Sequence, residues 1–156
     1  MDIEIVWGTG EAQTELSAFD AALADAGIHN YNHVRLSSVI PPDATVTESG
    51  THEQQWEVGT VIASVLASTT ATRNGETIAA GLGWRQADRG GVFFEETASS
   101  RTGVDTRIQQ GIEAAMSNRP DWKWDENIYT RVVEHTVDTN GAAVVAALYR
   151  PIQLRE

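Results

Sequence analysis

Residues 35–42 read Arg-Leu-Ser-Ser-Val-Ile-Pro-Pro, and the chain before and after them is organised around this stretch. We predict a strand over residues 33–40 that ends at the two prolines, because proline has no N–H for a ladder hydrogen bond. The serine pair at positions 37 and 38 admits two interpretations. The hydroxyls are either ordinary polar groups at a strand end, or one of them attacks the neighbouring peptide carbonyl.

The composition fits one soluble domain. A chain of 156 residues buries enough surface for an ordinary core. It contains no cysteine, which excludes disulfides, thiolate nucleophiles and cysteine-bound zinc. No signal-peptide pattern opens the sequence, and no apolar run is long enough to span a bilayer. We therefore expect a soluble, cytoplasmic protein.

The charge balance is strongly acidic. Asp and Glu number 22 against 11 Lys and Arg, which gives a net charge of -11. Such a surface repels phosphate backbones and anionic lipids, so nucleic acid and membrane are poor partners and a cationic ligand is favoured. Lys123 is the single lysine, and acid excess with scarce lysine suggests adaptation to a salty cytoplasm, although a GC-rich genome also replaces lysine with arginine.

Hydrophobic periodicity predicts two helices among several strands. The first helix begins at a Thr14 N-cap and ends at Gly27, and the second follows a capping-box pattern at residues 102–105. Asn74-Gly75 and Asn140-Gly141 are typical of hairpin turns, and residues 43–57 are expected to form mostly loop. This order favours a mixed α/β sandwich. The predicted strands cover residues 2–7, 33–40, 58–66, 77–84, 91–95, 128–137 and 142–149.

Three other kinds of site have little support. The segment Gly8-Thr9-Gly10 lies between a strand and a helix, as a dinucleotide loop does, but Gln13 replaces the third glycine. The four histidines show neither H-E-x-x-H nor H-x-H spacing, so no metal site is expected. No G-x-S-x-G pattern surrounds a serine, and nothing local supports a Ser/His/Asp triad.

The neighbourhood of the serine pair favours its chemical interpretation. Residues 16–32, which include Phe19-Asp20 and Asn30-Tyr31-Asn32, lead directly into residues 35–42. This block resembles the pyruvoyl-dependent arginine decarboxylase family. Residues 43–74 match that family poorly. Three later segments agree with it in type and order: 75–78 (Gly-Glu-Thr-Ile), 91–95 (Gly-Val-Phe-Phe-Glu) and 133–137 (Val-Glu-His-Thr-Val).

The resemblance implies that the chain makes its own cofactor. The Ser38 hydroxyl would attack the Ser37 carbonyl, and elimination would leave a carboxylate on Ser37 and a pyruvoyl group derived from Ser38. The single domain of residues 1–156 would become a beta chain (1–37) and an alpha chain (38–156). The covalent pyruvoyl group would then act without PLP and without a metal, as a carbonyl that takes the substrate amine and withdraws electrons while carbon dioxide leaves.

The resemblance also implies roles for individual residues. Asn32 matches the donor that stabilises the oxyanion during cleavage. Glu95 matches the general acid that protonates the carbanion, and the apolar run before it predicts an apolar pocket. Glu96 is its rival for this role. Asp20 matches the residue that pairs with the substrate guanidinium, and the Ser37 carboxylate would line the same pocket.

The implied fold is a mixed α+β sandwich with α/β/β/α layers, two main helices and about seven strands. Members form trimers with sites between subunits, so we expect a homo-oligomer whose Asp20 and Ser38 act across an interface. The implied activity is decarboxylation of L-arginine to agmatine, an early step of polyamine synthesis. Two alternatives stay open: a pyruvoyl decarboxylase of histidine or lysine, and an unprocessed relative that serves as a binding or assembly protein. His29 and Tyr31 depart from the smaller residues expected in their loop, which bears on substrate fit.

Overall fold

The computed structural model describes residues 1–154 and contains two helices and nine strands in two sheets. It confirms the expected α+β class. There are nine strands rather than the expected seven. Residues 33–40 contribute to two short strands instead of forming one, and the region of residues 43–57 contains a further strand. The elements are β1 (Asp2–Ala12), α1 (Glu15–Asp25), β2 (Asn32–Arg35), β3 (Val39–Ile40), β4 (Thr45–Gly50), β5 (Val61–Ala71), β6 (Thr77–Ala87), β7 (Gly90–Ala98), α2 (Arg101–Ser117), β8 (Tyr129–Thr136) and β9 (Asn140–Ile152).

The first sheet has five strands in the order β2-β5-β9-β1-β4. Strand β9 lies at its centre, antiparallel to both β1 and β5, whereas β2 and β4 add parallel edges. Helix α1 covers the outer face, where Ala22 and Leu23 pack with residues such as Val144. Successive β9 residues are buried on opposite faces of the sheet, which explains the continuous apolar run in its sequence.

The second sheet has four antiparallel strands in the order β3-β7-β6-β8. Helix α2 covers it, with Val104, Ile108 and Ile112 buried against the sheet. The two sheets enclose a shared core that contains Ile5 of the first sheet and Phe93 of the second. Phe93 is 1% exposed, and truncation of so buried a ring costs about 3–5 kcal/mol. The layers are therefore helix, sheet, sheet and helix.

Strand β1 continues through the predicted Gly8-Thr9-Gly10 loop to Ala12, so the loop prediction is wrong. Both glycines lie directly under helix α1. A Cβ atom at Gly8 would meet the Ala22 carbonyl oxygen at 2.4 Å, and one at Gly10 would meet the Ala22 nitrogen at 2.5 Å. The glycines allow close packing of helix on strand, and this removes the argument for a dinucleotide loop.

The two predicted hairpins are also wrong. Asn74-Gly75 forms a turn, and Gly75 has a positive φ of 82°, but the strands on either side of it belong to different sheets. The same holds for β8 and β9 around Asn140-Gly141. Turn chemistry reverses the chain locally, whereas burial of the apolar faces decides which strands pair.

The ends of the elements differ in detail from the sequence predictions. Thr14 caps α1 as expected, since its hydroxyl accepts from the Ser17 amide. Helix α2 begins earlier than predicted, because Ser100 rather than Thr102 is the N-cap and accepts from the Gly103 amide at 3.1 Å. Strand β4 lies where loop was expected, at the exposed edge beside β1, so it lacks an alternating apolar pattern. Neither helix combines the length and apolarity that a membrane span requires, among the residues described.

Glu11 joins the end of β1 to the turn between β8 and β9. Its carboxylate accepts from the Asp138 and Thr139 amides at 3.0 Å and from His135 Nε2 at 2.6 Å. The Asp138 amide lowers the pKa of Glu11 most, partial burial opposes it, and the Thr139 amide and His135 lower it further, to about 2 from an ordinary value of 4.5. The folded state thus favours the charged form.

This geometry predicts how stability changes with pH. Because the folded-state pKa of Glu11 is depressed, its contribution is complete above about pH 4.5 and is lost as pH falls towards 2. Urea unfolding of wild type and Glu11→Gln should differ most above pH 4.5 and converge below it. Glu113→Gln, an exposed change on α2, is the control and should show no such convergence. A constant Glu11→Gln difference over this range would contradict the assignment.

Candidate active site

The serine pair lies where the chain passes from one sheet to the other. Strand β2 ends at Arg35 in the first sheet, and β3 begins at Val39 in the second. The Leu36 amide donates to the Ser64 carbonyl at 2.9 Å, which holds the segment on the side of the first sheet. On the other side, the Phe93 amide donates to the Ser38 carbonyl at 2.8 Å. Both ends of the crossover are therefore fixed by backbone hydrogen bonds.

Ser38 has a left-handed backbone conformation, with φ of 72°. This region is uncommon for residues that carry a Cβ atom, and such a residue costs about 1–3 kcal/mol. Asp43, in the turn after the two prolines, is the other described non-glycine residue with positive φ, but aspartate tolerates that conformation better. The backbone strain at position 38 is thus specific to the crossover.

The hydroxyl of Ser38 donates a hydrogen bond to Glu95 Oε2 at 2.7 Å. This contact follows from the register of β3 on β7, where Val39 pairs with Val92 and places Ser38 near Phe93 and Glu95. Glu95 is exposed, so the apolar pocket expected around it is not formed by this chain alone. The structure nevertheless brings Ser37, Ser38 and Glu95 together.

Glu96 projects from the other face of β7, since adjacent strand residues alternate. It is half-buried, and no hydrogen bond joins it to either serine in the described part of the chain. The geometry therefore favours Glu95 over its rival.

A cavity of about 390 Å³ opens beside the serine pair. Its walls come from the crossover, strand β7, the C-terminal part of α2 and the residues just after that helix, where Arg119 contributes a cation. The guanidinium of Arg119 is held by the Ala115 carbonyl at 3.0 Å and lies over the Trp122 ring. This volume falls within the usual range of about 300–1,000 Å³ for small-molecule sites.

Asn32 and Asp20 lie elsewhere in the single chain. Asn32 begins β2, and its side-chain amide donates to the Gly59 carbonyl at 3.0 Å rather than to the serine pair. Asp20 is exposed on α1 and does not line the cavity. Of the five predicted site residues, a single chain therefore brings together three, namely Ser37, Ser38 and Glu95.

Tyr149 is a residue near the site that sequence reasoning missed. It lies on β9 and is 9% exposed, and its hydroxyl donates to the Val39 carbonyl at 2.8 Å. Burial, and then the negative charge of Glu95, raises the pKa of Tyr149. Nothing in the small-residue strand that contains it indicates a polar role.

The histidines do not form a metal centre. Among residues 1–154, no group of three or more His, Asp or Glu side chains is arranged to hold a metal ion. His52 is buried and bonded to Glu4, and Tyr31 packs with His52 and Trp56. Tyr31, which is larger than the residue expected at this position, thus packs against the loop of residues 52–58.

Comparison with known proteins decides the family. The profile described as "Pyruvoyl-dependent arginine decarboxylase (PvlArgDC)" matches residues 2–153. The chain belongs to the pyruvoyl-dependent arginine decarboxylase family. A relative from Halobacterium salinarum is 41% identical over 150 residues, which cover 94% of this chain and 92% of the relative. Relatives from Methanococcus maripaludis and Methanothermobacter thermautotrophicus are each 30% identical, over 93% and 96% of this chain and 87% and 96% of the relatives. All three carry the name pyruvoyl-dependent arginine decarboxylase.

The strain at Ser38 can be measured in variants of this family member that lack the Ser38 hydroxyl and therefore stay uncleaved. Ser38→Gly and Ser38→Ala both lack the hydroxyl, but only glycine adopts φ of 72° at little cost. In urea unfolding at matched protein concentration, the free energy of unfolding of Ser38→Gly should exceed that of Ser38→Ala by about 1 kcal/mol.

Ser37 provides the matched control, because it is not among the described residues with positive φ. In the Ser38→Ala background, Ser37→Gly should be less stable than Ser37→Ala by about 0.5–1 kcal/mol. If glycine is the less stable choice at both positions, Ser38 is not strained.

Proposed function

We propose that this protein cleaves itself between Ser37 and Ser38 and then decarboxylates L-arginine to agmatine and carbon dioxide. The observation that carries the proposal is the Ser38 hydroxyl, held 2.7 Å from Glu95 on a left-handed residue beside a cavity. Family membership supports the same activity. The product of cleavage would be a beta chain of residues 1–37 and an alpha chain of residues 38–156.

The proposed cleavage is a rearrangement followed by elimination. Ser38 Oγ attacks the Ser37 carbonyl carbon, the peptide C–N bond breaks, and an ester joins the two residues. Loss of the Cα proton of residue 38 breaks the ester C–O bond and leaves a carboxylate on Ser37 and dehydroalanine at position 38. Addition of water and loss of ammonia then produce the pyruvoyl carbonyl. The left-handed conformation at Ser38 favours this path, because breaking the peptide bond releases the strain.

Position 38 is suited to carry a reactive carbonyl, because it borders the cavity and contacts Glu95. When present, the pyruvoyl group supplies a carbonyl that takes the substrate amine and accepts electrons as carbon dioxide leaves. The neighbouring carboxyl of Glu95, which accepts from the Ser38 hydroxyl at 2.7 Å, would deliver a proton to the substrate carbon afterwards. The cavity beside Ser38 leaves room for a small substrate, and position 38 forms part of its wall.

Recognition of the guanidinium is assigned to Asp20 of a second subunit. Asp20 lies outside the cavity of its own chain, and Leu16, one helical turn earlier on the same face of α1, is 78% exposed. A second copy that covers this face of α1 would bring Asp20 to the cavity of its neighbour. A carboxylate binds a guanidinium by two parallel hydrogen bonds, and the Ser37 carboxylate would line the same pocket.

The same assembly, a homotrimer or a multiple of it, would supply what the single chain lacks at the cleavage site. Asn32 is proposed to stabilise the oxyanion that forms on Ser37, although in one chain its amide is bonded to Gly59. A neighbouring subunit would also cover Glu95, which is exposed here, and so form its apolar pocket. The acidic composition disfavours nucleic acid and membranes as partners and suits a cytoplasmic enzyme with a cationic substrate.

The choice of substrate is tested with purified, processed protein and three amino acids. Arginine should yield agmatine, whereas lysine and histidine should react at least about a hundredfold more slowly, because neither presents a planar guanidinium to Asp20. Product formation is measured by carbon dioxide release and chromatography. Preferential turnover of lysine or histidine would contradict the assignment of arginine, and absence of cleavage would favour a non-catalytic relative.

The role of Glu95 is tested against that of its neighbour. Glu95→Gln keeps an oxygen that accepts from Ser38 but has no proton to give, so cleavage should continue while turnover falls about a hundredfold or more. Glu96→Gln, a matched change one residue away, should reduce turnover much less. Cleavage is followed on denaturing gels and turnover by agmatine formation. The reverse order of effects would make Glu96 the general acid.

A further inference from the structure

The Tyr149 side chain connects the two sheets just after the proposed cleavage site, at Val39. The residue belongs to β9 of the first sheet, and the carbonyl it contacts belongs to Val39, the first residue of β3 in the second. Its ring lies in the core between the sheets and meets Phe93 edge-on, with centroids 6.1 Å apart. The buried ring therefore fixes the direction in which the hydroxyl points.

The hydroxyl completes a set of two adjacent hydrogen bonds. The Phe93 amide donates to the Ser38 carbonyl and the Tyr149 hydroxyl donates to the next carbonyl along the chain, both at 2.8 Å. Strand β3 has only two residues, so its ladder alone gives it little support. Tyr149 thus adds a hydrogen bond to the segment that follows the cleavage point.

The state of the phenol suits this task. Burial, and then the negative charge of Glu95, raises the pKa of the Tyr149 phenol. The hydroxyl therefore keeps its proton and acts as a donor. Loss of the hydroxyl would leave the Val39 carbonyl without this partner.

We propose that Tyr149 is a positioning residue for both reactions of this protein. Its hydroxyl fixes the Ser38–Val39 segment so that position 38 faces Glu95, first for cleavage and then for turnover. The inference rests on the proposed function, but the hydrogen bond itself can be tested without any activity.

The first test uses uncleaved protein. Amide hydrogen exchange is measured on the full chain carrying Ser38→Ala and on the same chain with Tyr149→Phe. The peptide that contains residues 38–40 should exchange about five- to tenfold faster without the hydroxyl, the change expected for one neutral hydrogen bond. Tyr129→Phe is the control: Tyr129 is 52% exposed, its ring stacks on Trp84, and exchange at residues 38–40 should not change. Equal exchange in both tyrosine variants would overturn the proposal.

The second test uses chains that retain Ser38. Tyr149→Phe should slow self-cleavage about five- to tenfold, and its cleaved fraction should show a similar fall in kcat with KM nearly unchanged. Tyr129→Phe should match wild type in all three quantities. A Tyr149→Phe protein that melts earlier but cleaves and turns over normally would show a structural role only, which contradicts the proposal. If wild type itself stays intact, the proposed function fails instead, so the two failures are distinguishable.

Discussion

The chain leaves the five-stranded sheet at Arg35 and enters the four-stranded sheet at Val39, so three residues make the connection. Packed sheets lie about 10 Å apart, and a linker of three residues reaches little farther than that. The crossover consequently has little slack, and Ser38 takes a left-handed conformation within it. The bond proposed to break thus lies beside a strained residue in a short connection between the two sheets.

The rest of the fold holds this connection in place. Helix α1 packs tightly on β1 over Gly8 and Gly10, and helix α2 packs on β6 and β7. These layers fix strand β7, whose register on β3 sets Glu95 against the Ser38 hydroxyl. A change in the register of β7 by one residue would turn Glu95 towards α2 and bring Glu96 to the serine, because strand residues alternate. Packing far from the serines therefore decides which carboxylate meets them.

The sequence predicted much of this arrangement, but it did so from two different kinds of information. Apolar periodicity placed the helices and most strands, and the resemblance brought Ser38 and Glu95 together although they are 57 residues apart. The division of residues 33–40 between two sheets left no local signal, because Val34 and Val39 suit either sheet and no glycine marks the left-handed position. Strand pairing depends on burial of whole faces, so the two Asn-Gly turns misled the pairing of their flanking strands. Tyr149 escaped notice because its polar contact exists only after the sheets have packed.

The mass of the denatured protein shows whether the chain cleaves itself between Ser37 and Ser38. Self-cleavage should give two fragments, residues 1–37 with an ordinary carboxylate and residues 38–156 with a carbonyl in place of the N-terminal amine. Ser38→Ala should give one uncleaved chain. A wild-type protein that remains a single unmodified chain after prolonged incubation at native pH would contradict self-cleavage at this bond. Cleavage at another peptide bond, or an alpha fragment that begins with an intact serine, would contradict it equally.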